Sequence, residues 1–530
     1  MSESYAITTP IYYVNGTPHL GTAYTTIAAD SLARFERMDG KDVFFLTGLD
    51  EHGQKVAQSA AEHGMTPQEW CDSIAPQFQD LWRDLKITNT DFIRTTEPRH
   101  QRGVQAFWTD LYEKGYLYKA AYSGWYCVHE ETYYTESEVE EIDGVKCCPE
   151  CHRELMYNDE GEENWFFKLS EFQDQLLEFY DEHPDFIQPE TRRNEVISFV
   201  KGGLQDLSIS RTTFDWGVPL PFDEGHVTYV WIDALLNYIT AMGYGGSPEE
   251  QAEFERRWPV QYHFIGKDII RFHCVIWPAM LMAAGLPMPQ KVFAHGFLLT
   301  KGEKMSKSTG NAVSPRDLVD IFGLDAYRYY FMTDVQFGSD GSISMERMVQ
   351  VYNADLANTW GNLCSRAFNM AVKYFDGKVP ALSADRYAEL EGELGNPLRE
   401  IAEGIYEPYA ERFNAVDFTH AAAEASALAQ RANAYIEETA PWNLAKDESK
   451  ADELAYVIYN TLESIRLVAL YYAPLMPETS QTVFDSLSLG NVEECTDLKG
   501  QSEWGLLPAG NTVVKCSPLF PRLQVEDLSL

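Results

Sequence analysis

The chain has 530 residues and a mass of 60.3 kDa, which is enough for about three or four domains. Hydrophobic residues make up 45% and charged residues 23% of the sequence, and this balance excludes a mainly disordered or fibrous protein. The 42 lysines and arginines face 81 acidic residues, so the formal net charge is −39. Such an acidic surface repels nucleic acid and anionic membranes, so any contact with nucleic acid needs a local basic site.

The cysteines indicate a reducing compartment. Nine cysteines are too few for a disulfide scaffold in a chain of this length, and three of them crowd into positions 147, 148 and 151. The N-terminus lacks the basic and apolar regions of a secretory signal. The most apolar stretch, residues 277–289, is too short to cross a bilayer. We therefore expect a soluble, cytoplasmic protein.

The N-terminal part alternates between strand and helix patterns. AITTP predicts a short strand, and a loop with Asn15-Gly16 and Pro18 leads into an amphipathic helix over about 22–38. A buried strand over 41–46 and a helix over 51–64 follow. Strands separated by helices predict a parallel α/β sheet.

The pattern changes between about Gly115 and Val227, where Cys, Tyr, Glu and Asp are dense and periodic runs are few. This segment is predicted to be an insertion, because α/β patterning returns at residues 226–231 and 261–265. From about residue 346 onward, apolar-periodic runs predict a helical bundle; they cover 353–374, 398–438 and 452–475.

Two motifs suit phosphate chemistry. PIYYVNGTPHLGT lies where the first strand leads into the first helix, at a sheet edge where ligands bind and a helix N-terminus favours phosphate. There His19 would offer an imidazole donor, and Gly21 would allow close approach of a nucleotide. KMSKS at 304–308 places two lysines around hydroxyl side chains, as a mobile phosphate clamp would. Each motif alone has a plainer interpretation, a histidine packed in a turn and a solvated loop.

HLGT and KMSKS together resemble the HIGH and KMSKS signatures of class I aminoacyl-tRNA synthetases. The resemblance is narrower to the methionyl-tRNA synthetase family and covers nearly the whole chain, through TPIYYVNGTPHLG, FFLTGLDEHG, DFIRTTEPRH, SRTTFDWGVPLP, YVWIDALLNY, YHFIGKDIIRFH, WPAML, FAHGFLLTKGEKMSKSTGN, LANTWGNLCSRAFN and ETAPWNLAK. Thr22 departs from the signature, which usually carries its second histidine there. The departure puts one ATP contact in question but not the reaction.

The resemblance implies an α/β fold, with a Rossmann-like parallel sheet, an inserted connective domain with a zinc knuckle, and an all-α anticodon-binding bundle. The expected parts are the two halves of the catalytic domain at 1–115 and 227–300, the insertion at 116–226, the KMSKS loop and stem-contact region at 301–350, and the bundle at 351–530. The chain reaches Leu530 soon after the bundle, without an appended dimerisation module, so we expect a monomer.

The implied activity is that of a methionine–tRNA ligase, which uses ATP and Mg²⁺ to activate L-methionine as an adenylate and then charges tRNA(Met). The implied catalytic residues are His19, Lys304 and Lys307. The implied ATP-binding residues are His19, Gly21, Thr22, Gly266, Lys267, Asp268, His295 and Lys307. The implied methionine-binding residues are Ile11, Tyr13, Asp50, Trp231, Ala234, Tyr238 and His295. By the same resemblance Asn362, Arg366 and Trp442 recognise the anticodon.

Two other interpretations stay open. One is a class I synthetase for another amino acid, such as leucine or cysteine, which Tyr13, Trp231 and Trp442 disfavour. The other is a tRNA-binding relative without catalysis, which the intact lysines of KMSKS disfavour. A tRNA ligand also requires a basic stripe on this acidic protein, with candidates Lys201, Arg211, Lys304, Lys307 and Arg366.

A zinc site is predicted in the insertion. Cys148 and Cys151 form a CxxC pair, and Cys127 lies on the other side of a hairpin-like stretch over 133–145. Related enzymes carry a second CxxC pair here, but the fourth position is Glu130, with His129 beside it. Zinc accepts nitrogen or carboxylate ligands, so the predicted ligands are Cys127, Cys148, Cys151 and either His129 or Glu130. Cys147 is a poorer candidate, and the alternative is a knuckle held by packing alone.

Overall fold

A computed structural model describes residues 2–127, 132–134, 136, 139–149, 151–300, 303–304 and 314–525. The chain folds into two compact units. The sheet unit comprises Ser4–Pro18 and Phe44–Ala294, and the helical unit comprises Met1–Glu3, His19–Val43 and His295–Leu530. Within the described ranges, no helix combines the length and the apolar composition that crossing a bilayer requires.

The sheet unit is built on a six-stranded sheet. Its strands are, in spatial order, Asp91–Arg94, Asp42–Asp50, Ser4–Tyr13, Tyr262–Gly266, Lys291–His295 and Ile187–Gln188. Parallel pairing is set by the registers Leu46 with Asp91, Ile7 with Tyr262 and Val292 with Ile187. Strand Asp42–Asp50 is buried along nearly its whole length, as a strand covered on both faces should be. The predicted parallel α/β sheet is therefore confirmed.

One glycine of this sheet is required by close packing. A Cβ atom on Gly48 would lie 2.1 Å from the carbonyl oxygen of Ile93 and 3.0 Å from Cγ2 of Ile11. Only glycine lets these neighbouring strands approach at this point.

Helices cover the sheet and enclose a core that includes the buried Trp108 and Trp277. The helices of this unit are Gln54–Glu62, Pro67–Asp84, Pro98–Glu113, Gln173–Glu182, Glu190–Lys201, Val230–Leu235, Asn237–Thr240, Pro248–Arg257 and Trp277–Ala284, with 3₁₀ turns Leu169–Phe172 and Lys267–Ile269 and a π-helical turn Phe272–Ile276. Capping boxes at Thr66 and Ser247 fix where two of these helices begin.

Part of the predicted insertion forms a separate sheet of four strands, whereas Ile187–Gln188, within the same range, belongs to the six-stranded sheet. The spatial order of the four strands is Leu207–Ser208, Met156–Phe167, Leu117–Cys127 and Thr132–Tyr134. The two long strands pair antiparallel from Leu117 with Phe167 to Tyr126 with Met156. Two-stranded ribbons are formed by Glu140–Ile142 with Val145–Cys147 and by Ser210–Arg211 with Val227–Thr228. The five-part division of the chain stays a prediction.

The helical unit begins with helix Leu20–Met38 and contains most of the C-terminal half. Its other helices are Pro315–Phe322, Leu324–Thr333, Met345–Val351, Asn362–Tyr374, Ala384–Leu394, Pro397–Ala402, Tyr406–Asn414, Phe418–Thr439, Pro441–Leu444, Ala451–Tyr472, Pro477–Ser486 and Leu498–Gln501, with a π-helical segment Tyr352–Gly361 and 3₁₀ turns Glu448–Lys450 and Val492–Glu494. Strands Leu298–Thr300, Glu303–Lys304 and Gly341–Ile343 form a small sheet. The predicted helical C-terminal region is confirmed.

One predicted helical run is divided in the structure. Residues 398–438 fall in three helices, and the left-handed backbone of Val416, with φ of 61°, lies at the second of the two breaks. Asp417 then caps the next helix by accepting from the backbone N–H of His420. The long helix that follows packs against helix Ala451–Tyr472, and Ala421, Ala425 and Ala429 are among its fully buried side chains. Small side chains allow this close helix approach.

A buried ionic cluster fixes helix Leu20–Met38 within its unit. Arg328 is fully buried and donates from Nη2 to Asp30 Oδ2 at 2.7 Å and to the carbonyl of Pro474 at 3.2 Å. Arg34 Nε donates to the same carboxylate oxygen at 2.8 Å. The helix that starts after His19 is thereby held at its centre by two guanidinium groups.

Candidate active site

His19 stands at the N-terminus of helix Leu20–Met38 as its cap. Its Nδ1 accepts from the backbone N–H groups of Gly21 at 3.1 Å and Thr22 at 3.4 Å. A ring that accepts at Nδ1 carries its proton on Nε2 when neutral. The His19 side chain is exposed and stands at a helix end that favours anions.

Thr22 completes the cap from the other side. Its hydroxyl accepts from the His19 backbone N–H at 3.0 Å and donates to the His19 carbonyl at 2.7 Å, so cap and third helical residue bond reciprocally. A Cβ on Gly21 would lie 3.0 Å from Cε1 of His19. Gly21 thus leaves room for the imidazole, in addition to the close nucleotide approach predicted for it.

His295 is connected to the same helix. Its Nδ1 donates to the carbonyl of Gly296 at 2.8 Å, which leaves Nε2 to accept from the Thr25 hydroxyl at 2.6 Å. Thr25 Oγ1 also lies 3.1 Å from the carbonyl of Gly21, and the edge of Tyr24 contacts the imidazole at 5.2 Å between ring centroids. The helical unit therefore brings His19, Gly21, Thr22 and His295 together.

Of the two KMSKS lysines, the structure describes only the backbone of Lys304. The backbone of Lys304 lies on strand Glu303–Lys304 and pairs with Leu299, in the small sheet that ends with Gly341–Ile343. Lys307 lies outside the described residues.

The sheet unit gathers the other predicted ligands at the carboxyl ends of its parallel strands. Ile11 and Tyr13 end strand Ser4–Tyr13, Asp50 ends strand Asp42–Asp50, and Gly266 ends strand Tyr262–Gly266. Lys267 and Asp268 follow Gly266 in the 3₁₀ turn. Ligands of parallel sheets bind at this edge. Asp50 is buried, whereas Tyr13 is half-buried with Lys55 Nζ 5.7 Å from its ring centre.

The aromatic residues predicted for methionine lie on two short helices. Trp231 and Ala234 belong to Val230–Leu235, and Tyr238 belongs to Asn237–Thr240. Trp231 stacks on Phe272 with centroids 4.5 Å apart and planes 16° from parallel. The half-buried Trp231 presents an aromatic surface, whereas Ala234 is 8% exposed and leaves space.

Tyr238 has a fixed polar partner. His273 Nδ1 donates to the carbonyl of Ile269 at 3.0 Å, and burial lowers the pKa of His273 to about 4, so the ring is neutral and Nε2 accepts. The Tyr238 hydroxyl lies 2.7 Å from this Nε2 and donates to it. Burial raises the pKa of Tyr238 well above its ordinary value. Tyr238 is thereby connected to the Lys267–Ile269 turn.

Between Trp231 and Ala234 lies a carboxylate that sequence reasoning missed. Asp233 is fully buried, and its two oxygens contact His52 Nδ1 at 2.6 Å and His100 Nε2 at 3.0 Å. Burial by itself raises the pKa of Asp233, but His100 and His52 outweigh burial and lower it to about 2. The contacts join residues 181 and 133 positions apart, so no local pattern reveals them, although all three residues lie in the family stretches quoted above.

Two of the predicted anticodon residues line one pocket. Asn362 and Arg366 border a shallow cavity of about 330 Å³ together with Asn358, Thr359, Gln430, Asn433, Ala434 and Glu437. Arg366 Nη2 donates to Glu437 at 2.6 Å. Trp442 is not among the lining residues; it is 38% exposed on helix Pro441–Leu444. The cavity offers several amide groups, which can donate and accept towards base edges.

One member of the predicted basic stripe is wrong. Arg211 is 3% exposed, lies over the ring of Tyr229 at 4.2 Å and donates from Nη1 to Ser208 Oγ at 3.0 Å. The guanidinium group is therefore buried against protein atoms and is not exposed to a nucleic acid. Residue type alone could not distinguish this buried guanidinium from an exposed one.

The cysteines of the insertion converge as predicted. The sulfur atoms of Cys127, Cys148 and Cys151 all lie within 4.8 Å of one another, and Cys127 and Cys151 are 3.5 Å apart. Tetrahedral zinc with bonds of about 2.3 Å separates thiolates by about 3.8 Å. Cys147 is not part of this group. His129 and Glu130 lie outside the described residues.

Comparison with known proteins agrees with this architecture. The family model for tRNA synthetases class I (M) matches residues 5–164 and 159–368. The model for the anticodon binding domain of methionyl tRNA ligase matches residues 383–529. The methionine–tRNA ligase of Caldanaerobacter subterraneus subsp. tengcongensis is 48% identical over 99% of this chain and 80% of that protein. The ligase of Streptomyces coelicolor is 47% identical over 99% of this chain and 97% of its own length.

A solved structure gives the same result. The Mycobacterium tuberculosis methionyl-tRNA synthetase in complex with methionyl-adenylate is 42% identical and superposes with a TM-score of 0.90, over 98% of this chain and 100% of that one. The resemblance drawn from the sequence is confirmed. The chain belongs to the methionyl-tRNA synthetase family of class I tRNA synthetases.

Proposed function

We propose that this chain is a methionine–tRNA ligase, which activates L-methionine with ATP and transfers the methionyl group to tRNA(Met), with release of diphosphate and AMP. The observation that carries the proposal is the capped helix start, where the exposed His19 imidazole is held at a helix N-terminus in a chain of this family. A cytoplasmic, monomeric enzyme is part of the same proposal, and light scattering of the purified protein tests the monomer.

Activation is an in-line attack of the methionine carboxylate on the α-phosphate of ATP. It needs no covalent enzyme intermediate, so catalysis consists of positioning and stabilisation of developing negative charge. In the proposal His19 donates from Nε2 to the α-phosphate side, and Lys304 and Lys307 hold the leaving diphosphate. Gly21, Thr22, Gly266, Lys267, Asp268 and His295 complete the ATP site.

Mg²⁺ fits this site through ATP itself. Over the described part of the chain, the only group of three or more closely spaced His, Cys, Asp or Glu ligand atoms is the cysteine cluster. Magnesium is commonly bound by substrate phosphates with few protein ligands, so it would enter with the nucleotide and supply charge neutralisation at the phosphates.

The methionine site is proposed to combine an apolar slot with one carboxylate. Asp50 meets the α-ammonium group, and Ile11, Tyr13, Trp231, Ala234, Tyr238 and His295 enclose the side chain. Aromatic edges stabilise a thioether by about 0.3–1.5 kcal/mol. Such a slot discriminates by only about 1–3 kcal/mol per methylene, which still favours methionine over shorter or branched amino acids.

Purified protein should exchange labelled diphosphate into ATP when methionine is added, without tRNA. Leucine, isoleucine and cysteine should support far less exchange, because the slot acts already at activation. Equal exchange with one of these amino acids would contradict the assignment to methionine. Absence of exchange with any amino acid would favour the non-catalytic relative.

Thr22→Val should lower the methionine-dependent exchange rate about fivefold, because a lost capping interaction costs about 1 kcal/mol and loosens the backbone that orients His19. Thr22→Ser keeps the hydroxyl and serves as the matched control, with a rate near that of the unmodified protein. Equal rates for the Val and Ser variants would show that the cap does not orient His19.

The anticodon site is proposed at Asn362, Arg366 and Trp442. Two polar side chains a helical turn apart can bond to base edges, and an exposed indole can stack on an unpaired base. The pocket beside Arg366 and the exposure of Trp442 support this proposal.

Trp442→Ala should raise the KM for tRNA in charging about tenfold, since loss of one base stack costs about 1–3 kcal/mol, while diphosphate exchange stays unchanged. Arg386→Ala is the matched control, because Arg386 is an ion-paired surface arginine of the same unit. If exchange fell together with charging in Trp442→Ala, Trp442 would be a structural residue and its anticodon role would be refuted.

The cysteine cluster is proposed to bind one zinc ion. Cys127, Cys148 and Cys151 supply three sulfurs at compatible spacing, and His129 or Glu130 supplies the fourth ligand. Zinc here would cross-link the strand ending at Cys127 to the turn after Cys147, a structural role that stabilises the knuckle.

Protein purified without chelators or a metal-affinity step should contain one zinc per chain by elemental analysis. Cys148→Ser should release it and loosen the insertion, because a ligand is lost. Cys147→Ser, an adjacent change outside the cluster, should keep the zinc. Absence of zinc from the unmodified protein would leave a knuckle held by packing alone.

A further inference from the structure

A buried network surrounds Asp233 in the sheet unit. The carboxylate has no exposed surface, and each of its oxygens accepts from one histidine, His52 or His100. His100 is itself fully buried, and its Nδ1 lies 2.8 Å from the hydroxyl of Thr240. The chain Thr240–His100–Asp233–His52 is therefore continuous.

The network joins the elements that carry the proposed methionine ligands. His52 lies two residues after Asp50, and Asp233 lies between Trp231 and Ala234. Thr240 ends the short helix that contains Tyr238, and His100 reaches across from helix Pro98–Glu113.

A second set of contacts holds the His52 segment. The rings of Trp216 and His52 make an edge-to-face contact with centroids 5.5 Å apart, and Trp216 Nε1 donates to the carbonyl of Glu51 at 2.6 Å. The backbone N–H of Gly53 donates to the carbonyl of Trp216 at 3.1 Å. His52 is consequently fixed from both sides, which makes it a rigid anchor for Asp233.

Burial of an ionised carboxylate is costly unless it is paired and hydrogen-bonded. The low pKa of Asp233 means that the charge persists at neutral pH, so the network is costly to break and has one favoured geometry. No atom of Asp233 is accessible to a substrate, since the residue is completely buried. Asp233 can therefore affect the reaction only through the residues that it contacts or that share its helix.

We propose that Asp233, His52 and His100 are positioning residues of the methionine site, a proposal that rests on the function given above. The network fixes the distance between the carboxylate of Asp50, which receives the ammonium group, and the helix with Trp231 and Ala234, which receives the side chain. One amino acid must satisfy both ends at once, so a small displacement of the helix weakens methionine binding. ATP contacts other residues and should respond less.

The test uses the diphosphate exchange assay and measures separate KM values for methionine and ATP. It compares two disruptive variants, Asp233→Asn and His100→Leu, with two conservative ones, His100→Gln and His52→Asn. Asp233→Asn and His100→Leu should each raise the KM for methionine about tenfold, equivalent to about 1.4 kcal/mol, and change the KM for ATP less than about twofold. His100→Gln should stay close to the unmodified protein, because its amide carries donors and an acceptor and can bond to both Asp233 and Thr240. His52→Asn, which keeps a donor at the position of Nδ1, should behave like His100→Gln.

His226→Leu is the matched control for loss of a buried histidine. His226 is 5% exposed, contacts Ser210 and Asp223 in the same unit, and has no place in the proposed site. Its variant should lose thermal stability but keep the KM for methionine. A purely structural role of His100 predicts the same behaviour, so His100→Leu and His226→Leu separate the two accounts.

The outcomes are distinguishable. If the unmodified protein does not exchange diphosphate with methionine, the proposed function itself fails. If it does, and His100→Leu keeps the methionine KM or raises both KM values equally, the positioning proposal is overturned. Should Asp233→Asn fail to fold, the contrast between His100→Leu and His100→Gln decides, and equal methionine KM values for these two refute the proposal.

Discussion

A carboxylate without contact to water needs both its charge and its lone pairs satisfied by the protein, and in each unit one such carboxylate holds an element that carries or follows a proposed ligand. In the sheet unit Asp233 accepts from two imidazoles. In the helical unit Asp30, equally buried, accepts from Arg34 and Arg328. The geometry of each cluster is narrow, because leaving a donor or acceptor unpaired at these depths costs several kcal/mol, about 3–5 for a broken buried pair. Elements that bear such a charge cannot slide or rotate freely. Two of them are helix Val230–Leu235, with Trp231 and Ala234, and helix Leu20–Met38, which starts after His19.

The capped helix start adds a second constraint at the surface. His19 and Thr22 bond reciprocally, so the imidazole is oriented by the backbone of the helix whose dipole it shares. Thr22 occupies the position of the second histidine in the family signature. Its hydroxyl bonds to the backbone of His19, so Thr22 has a structural role whether or not it also contacts the nucleotide. The departure is therefore compatible with an oriented His19. Asp30 and Arg328 hold the same helix farther along, which links the orientation of this histidine to packing deep in its unit.

The sequence predicts the secondary structure better than the contacts between distant residues. The spacing of apolar residues is a local property of the sequence, so it predicts the parallel strands and the helical C-terminal region. The position of His19 at a strand-to-helix junction follows from the same spacing. One of the two breaks in the run 398–438 lies at the left-handed backbone of Val416, a conformation that a valine in the sequence does not predict. Arg211 was expected at the surface because arginine usually is, yet a tyrosine ring and nearby oxygens hold it inside. The role of Asp233 cannot be predicted from local sequence, because its partners His52 and His100 are remote in the chain and an aspartate next to aromatic residues has no distinguishing local pattern.

The hydrogen bonds to Asp233 can be measured directly by NMR of the histidine rings in protein with ¹⁵N-labelled histidine at neutral pH. The account predicts that Nδ1 of His52 and Nε2 of His100 are protonated, hydrogen-bonded and slow to exchange with water, and that Asp233→Asn removes this protection from both. Assignment uses His52→Asn and His100→Gln, each of which deletes one ring. Fast exchange at both nitrogens in the unmodified protein, or rings unaffected by Asp233→Asn, would contradict the claim that this carboxylate fixes the two histidines.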